Sequence, residues 1–178
     1  MGGLSLKSSI LTRTRKIKLL LMDCDGVLTD GRLYFSECGE ELKVFHVRDG
    51  QGLVSWHESG FRSGIISGRN SKIVETRARE LGVEFVRQSA HQKLEAFEEI
   101  LAEANVSTEE TAFIGDDVAD VPLLLRVGLA IAVADAVPET KQVAHLITKQ
   151  NGGFGAVREV TDLILQAQGK WQDLMTRK

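Results

Sequence analysis

The chain has 178 residues, 43% of them hydrophobic and 26% charged, and a formal net charge of −3. That length suits one substantial core, and the composition is that of an ordinary globular protein rather than a fibrous or disordered one. The slightly acidic balance gives no sign of a nucleic-acid partner, and no apolar run approaches the roughly 20 residues of a membrane span.

Residues 1–16 carry Lys7, Arg13, Arg15 and Lys16, all ahead of the first acid, Asp23. Without an apolar h-region or a small-residue cleavage site, this reads as a loose, solvated basic tail. Residues 17–178 then form a single domain with a polar C-terminal tail after its last helix. Ile17 to Met22 is a nearly continuous apolar run, the pattern of a strand buried on both faces. Arg32–Phe35 and Glu41–Val47 flank a glycine-containing connection and read as a protruding β-hairpin. A helix over about 50–58 stops at Gly60, and Phe61–Ser67 is the next buried strand.

The alternation continues with a helix over 71–81, a strand over 83–87 and a helix over 92–104. A strand over 111–115, a helix near 122–127 and a strand over 129–133 follow. A helix near 138–143, a strand over 145–148 and a helix over 156–168 complete the chain. Strands alternating with helices across short connections predict an α/β, Rossmann-like fold, a mostly parallel sheet with helices on both faces. Cys24 and Cys38 match neither a disulfide framework nor a zinc site, and a cytoplasmic enzyme fits these features.

In such sheets ligands gather at the carboxyl ends of strands. Four polar segments follow apolar runs in that way. Asp23-Cys-Asp-Gly-Val-Leu-Thr29 sets two carboxylates one residue apart, which repel unless a cation or proton lies between them. Ile65-Ile-Ser-Gly-Arg69 ends a strand in a hydroxyl; read alone, Ser67 is equally a cap for the next helix. Lys93 opens a helix, where an isolated lysine is usually solvated. Phe113-Ile-Gly-Asp-Asp-Val-Ala-Asp120 places acids after a strand-terminal glycine, and Asp120 alone reads as a helix N-cap.

Taken in this order, the four segments resemble the motifs of the haloacid dehalogenase superfamily. The resemblance implies Asp23 as phosphoryl-accepting nucleophile, and Asp25 as general acid/base whose backbone carbonyl also contacts the metal. It implies Ser67 and Lys93 as phosphoryl-contacting groups and Asp116 as the further Mg²⁺ carboxylate, with Asp117 supporting from behind. Neither interval between motifs has room for a folded cap of about 50 residues, so a neighbouring subunit is expected to close the site.

Asp25-Gly-Val-Leu-Thr-Asp-Gly31, Phe45-His-Val-Arg-Asp-Gly50 and Gly152-Gly-Phe-Gly-Ala-Val-Arg-Glu159 narrow the resemblance. They are similar to the capless subfamily that dephosphorylates 3-deoxy-D-manno-octulosonate (KDO) 8-phosphate for lipopolysaccharide synthesis. That subfamily implies a homotetramer whose C-terminal segment reaches a neighbour's site, and a substrate that is a sugar-acid phosphate. Basic groups for its carboxylate are then expected from Arg69 and Arg77, since a guanidinium binds carboxylates through a planar fork. His46, Val47, Arg48, Asp49 and Gly50 would line the substrate path. A nine-carbon keto-sugar acid phosphate and a silent sugar-phosphate-binding subunit are the alternatives. A nucleotide-binding module is disfavoured by the lack of a glycine-rich phosphate fingerprint after a strand.

Overall fold

The computed structural model describes residues 8–176. In chain order its first elements are α1 (Ser8–Thr14), β1 (Leu19–Met22), β2 (Tyr34–Phe35), β3 (Glu41–Leu42), α2 (Val47–Glu58) and β4 (Arg62–Ile66). Next come α3 (Lys72–Leu81), β5 (Phe85–Arg87), α4 (Lys93–Ala104), β6 (Thr111–Gly115) and α5 (Val121–Leu124). The last are β7 (Leu129–Ala132), α6 (Pro138–Val143), β8 (Leu146–Ile147), α7 (Ala156–Ala167) and α8 (Trp171–Thr176).

Six strands form one sheet in the order β5-β4-β1-β6-β7-β8, and every pair in it is parallel. The apolar run of β1 explains its central place, because all four side chains are buried and alternate between two cores. Leu20 and Met22 pack with Leu53 and Trp56 of α2, Val74 of α3 and Val160 and Ile164 of α7. Leu19 and Leu21 pack on the opposite face with Phe97 and Ile100 of α4 and Leu123 and Leu124 of α5. The chain winds outward from β1 to β5, then crosses back through α4 to start β6 on the other side of β1. That reversal is the topological switch point, and it lies at the carboxyl ends of β1 and β6.

The sheet and its helix layers agree with the sequence expectation, and three local readings are corrected. The segment read as a loose tail is helical from Ser8 to Thr14, with Thr14 buried and Arg13 donating to the Gly128 carbonyl at 2.7 Å; Lys7 lies outside the described residues. The second hairpin arm ends at Leu42, and Val47 opens α2 instead of closing a strand. His46 is the reason: its ring nitrogen accepts from the Arg48 amide, which caps α2. The C-terminal tail is also more than a polar appendage. It folds as α8, and Trp171 and Leu174 pack against the larger core.

His57 ties three elements together. Its Nδ1 donates to the Leu81 carbonyl at 3.0 Å, and its Nε2 accepts from the Ser63 hydroxyl at 2.7 Å. Burial holds its pKa below the usual 6.5, so the fold prefers the neutral ring. The stabilisation is therefore complete above the unfolded-state pKa and is lost as pH falls through the lower folded value. The stability advantage of the native protein over His57→Gln, measured by urea unfolding, is expected to shrink between about pH 7 and pH 5. An advantage that stays constant across this range would contradict the neutral assignment.

Candidate active site

Met22 of β1 is level with Ile65 of β4 and Ile114 of β6. The residues that follow these three neighbouring strands therefore emerge together at one edge of the sheet, bringing Asp23, Ser67 and Asp116 to the switch point. Lys93, the first residue of α4, completes the group from the crossover connection. Its ammonium lies 2.9 Å from Asp23 Oδ1 and 2.7 Å from Asp120 Oδ1, and its side chain is only 9% exposed. A lysine so far from water needs such partners. Burial opposes its charge, but the carboxylates of Asp23 and Asp120 outweigh that and raise its pKa.

Asp120 is fully buried, and its role exceeds that of a cap. Oδ1 receives Lys93, while Oδ2 accepts from the backbone amides of Asp116 at 3.0 Å and Asp117 at 3.4 Å. It thereby fixes the lysine and the turn carrying Asp116 at once. Asp117 is exposed, and its carboxylate accepts from the Val118 amide at 2.7 Å, so the bracing assigned to it falls to Asp120.

The acids are crowded. Burial pushes the Asp23 carboxyl up to about 6, with Lys93 pulling downward and Asp120 pushing further up. Asp116 is pushed up to about 8, first by burial and then by the charges of Asp23 and Asp120. Carboxylate oxygens of Asp23, Asp116 and Asp120 lie within 4.8 Å of one another. Asp120 has both oxygens committed, which leaves Asp23 and Asp116 as ligands. Asp116 Oδ1 is buried with no hydrogen-bond partner, an atom that a cation would satisfy. A hard-oxygen set with this charge fits a divalent ion such as Mg²⁺.

Backbone without side chains makes the crowding feasible. Gly26 has φ +95, and a Cβ there would stand 2.1 Å from Asp116 Oδ2. A Cβ on Gly152 would stand 1.7 Å from the Gly26 carbonyl oxygen. The glycine-rich run after β8 thus packs on the loop that carries Asp23 and Asp25 in the same chain.

The other sequence candidates divide. Ser67 is buried and its hydroxyl accepts from the Arg69 amide at 3.3 Å; it does not cap α3, whose N-cap is Ser71. Asp25 is joined to Lys43 by an ion pair, and Arg69 Nε lies 3.6 Å from its Oδ2. Arg69 also pairs with Glu41, and Lys43 lies 3.5 Å from the same Glu41 oxygen. Arg77 stands apart from this group: it bonds Glu80 at 2.9 Å and lines a groove of about 370 Å³ with Phe45 and Lys72. Its Nε is buried without a partner, and Gly50 lies against its guanidinium. Val47 and Arg48 are exposed on the first turn of α2.

Asp49 is buried and does not offer its carboxylate to a substrate. Its oxygens accept from the Gly155 amide at 3.1 Å and the Arg158 amide at 2.8 Å, capping α7. Arg158 bonds Asp162 at 2.7 Å and its guanidinium lies over the Trp171 ring at 6.0 Å. Lys43 and Glu41 escaped the sequence reading, because a lysine between Leu42 and Val44 in a short strand arm looks like a solvated position. Asp120 carried a signal, its offset of four from Asp116, but was read as a cap.

Comparison with known proteins agrees with this geometry. A model of haloacid dehalogenase-like hydrolases matches residues 66–160. The 3-deoxy-D-manno-octulosonate 8-phosphate phosphatase KdsC of Yersinia pestis is 47% identical over 161 residues, 90% of this chain and 86% of that protein. A probable YrbI family phosphatase from Pseudomonas syringae superposes with a TM-score of 0.93 at 45% identity, covering 96% of this chain and 97% of that one. A 3-deoxy-D-manno-octulosonate 8-phosphate phosphatase from Moraxella catarrhalis, solved with magnesium, phosphate and KDO, superposes at 0.91 with 38% identity, covering 93% and 95%. A central parallel sheet, an acid-lysine cluster at its switch point and identity at this level over nearly the whole length place the chain in a family: it belongs to the haloacid dehalogenase-like hydrolases, in the group of the 3-deoxy-D-manno-octulosonate 8-phosphate phosphatases.

Proposed function

We propose that this chain is a Mg²⁺-dependent phosphatase that converts KDO 8-phosphate into KDO and phosphate for lipopolysaccharide synthesis. The observation that carries the reading is the buried Asp23–Lys93–Asp120 chain beside Asp116 at the sheet's switch point. Asp23 attacks phosphorus in line with the leaving oxygen, and the new P–O bond to its carboxylate forms as the bond to the sugar oxygen breaks. Asp25 gives its proton to that oxygen, then takes one from the water that hydrolyses the aspartyl phosphate. Lys93 and the Ser67 hydroxyl hold the phosphoryl oxygens and offset their charge. Asp23, Asp116 and the Asp25 carbonyl would hold Mg²⁺, whose charge would lower the repulsion between nucleophile and phosphate.

Arg69 and Arg77 serve the substrate carboxylate, and residues 46–50 shape its path, with Asp49 acting through α7 rather than by contact. The working form is a homotetramer. Leu33, Phe35, Leu42, Val44 and Val47 are all at least half exposed around the hairpin, an apolar surface suited to burial between copies. No helix among the described residues is long and apolar enough to cross a membrane. Two free cysteines, Cys24 buried and Cys38 exposed, support a reducing cytoplasmic setting.

Phosphate release from KDO 8-phosphate and from a nine-carbon keto-sugar acid phosphate tests the reading, each with Mg²⁺ and with a chelator. The expected result is metal-dependent release with a higher kcat/KM for the eight-carbon ester. Equal or greater efficiency on the nine-carbon ester would move the substrate, and no release from either would leave a silent binder.

A further inference from the structure

The chain leaving β3, Leu42 to Val44, has its polarity reversed. Leu42 and Val44 are 60% and 61% exposed, while the side chain of Lys43 between them is 2% exposed. The outward Leu42 and Val44 belong to the apolar surface assigned to contact between copies, but the inward ammonium costs stability unless it is paired. Its partners show where it points. Lys43 Nζ contacts Asp25 Oδ1 directly and lies 3.5 Å from Glu41 Oε1, the oxygen that also receives Arg69. Among the described residues, the Asp25 carboxylate is further hydrogen-bonded or ion-paired by the Thr29 hydroxyl, 3.5 Å from Oδ1, and Arg69 Nε, 3.6 Å from Oδ2. Oδ1 is thus held closely and Oδ2 is not.

We propose that Lys43 is a positioning residue for proton transfer: it clamps Asp25 Oδ1 so that Oδ2 carries the proton to and from the reacting oxygen. The inference rests on the reading of Asp25 as general acid/base. A carboxylate on a freely rotating side chain transfers a proton efficiently only when held within a fraction of an ångström of its working place. Glu41 shares the ammonium, so Lys43 acts as a charge-balanced hydrogen-bond clamp. The same contact fastens the protruding hairpin to the catalytic loop. In the step at issue, the Oδ2–H bond breaks as the proton passes to the leaving oxygen, whose electron pair comes from the breaking P–O bond.

General-acid help matters when the leaving group is a weakly acidic alcohol and little when it is an acidic phenol. Benzyl phosphate and 4-nitrophenyl phosphate supply the two cases, and neither bears a carboxylate, so a lost substrate contact does not enter. With Mg²⁺ present, Lys43→Met is expected to lower kcat/KM for benzyl phosphate about 100-fold and for 4-nitrophenyl phosphate less than about 3-fold. The ratio of the two substrates within one preparation is independent of the fraction folded. Asp25→Asn, measured in parallel, separates the two layers of the argument. If Asp25→Asn shows the leaving-group dependence and Lys43→Met lowers both substrates equally, Lys43 is not the positioning residue. If Asp25→Asn itself lowers both substrates equally, the general-acid reading fails and the proposal falls with it.

Discussion

Asp23→Asn is expected to lower kcat by at least about 10⁴-fold with Mg²⁺ present and to leave the fold intact. The amide keeps the shape of the carboxylate but is a poor nucleophile, and nothing else at the switch point replaces it. Asp116 and Asp120 are the neighbouring acids, but Asp116 follows a different strand and Asp120 has both oxygens committed to Lys93 and to the amides of residues 116 and 117. The fold should tolerate the change because the native environment already disfavours charge on this group, pushing its carboxyl up to about 6 through burial. Lys93 loses one acid but keeps Asp120 at 2.7 Å. Steady-state phosphate release and a urea unfolding curve measure the two halves of this expectation. Near-native turnover in a metal-replete assay would sink the aspartyl-phosphate mechanism.

The second large effect is assigned to a residue that no substrate touches. Asp120→Ala is expected to destabilise the protein by about 2–4 kcal/mol and to lower kcat about 100-fold. It strips a buried lysine of one of its two acids and leaves the amides of Asp116 and Asp117 without their shared acceptor. Breaking one side of a buried ion pair costs far more than the pair contributes, because the remaining charge stays desolvated. Lys93 would then follow Asp23 alone, and the turn bearing Asp116 would loosen. Removing the Asp120 charge also relieves repulsion on Asp23 and Asp116, which sets the lower end of the range. Urea unfolding and kcat together decide the matter. Full stability with full activity would reduce Asp120 to a helix cap.

The sequence reading and the structure part company in an orderly way. Patterns that are local and periodic survived: the apolar run of β1, the amphipathic α4 and the alternation that predicts a parallel sheet. Readings that depend on what lies across the fold did not. Asp49 stands in a segment that looks like substrate path, yet its carboxylate bonds amides at residues 155 and 158. Trp171 and Leu174 sit in a stretch that looks polar, yet both reach the core. His46 looks like a strand end until its ring is seen capping α2.

By itself the sequence determined the class of chemistry through a resemblance, carried by polar residues at strand ends: Asp23 and Asp25 after one apolar run, Ser67 after another, Asp116 after a third. Parallel strands all run in one direction, so the residues that follow them share one edge, and that edge could be read without coordinates. Only the tertiary structure decided how those groups are held. Lys93 meets Asp120 across 27 positions of chain and Lys43 meets Asp25 across 18. No local pattern encodes either distance, since burial of an ammonium becomes favourable only once the fold has brought its carboxylates to it.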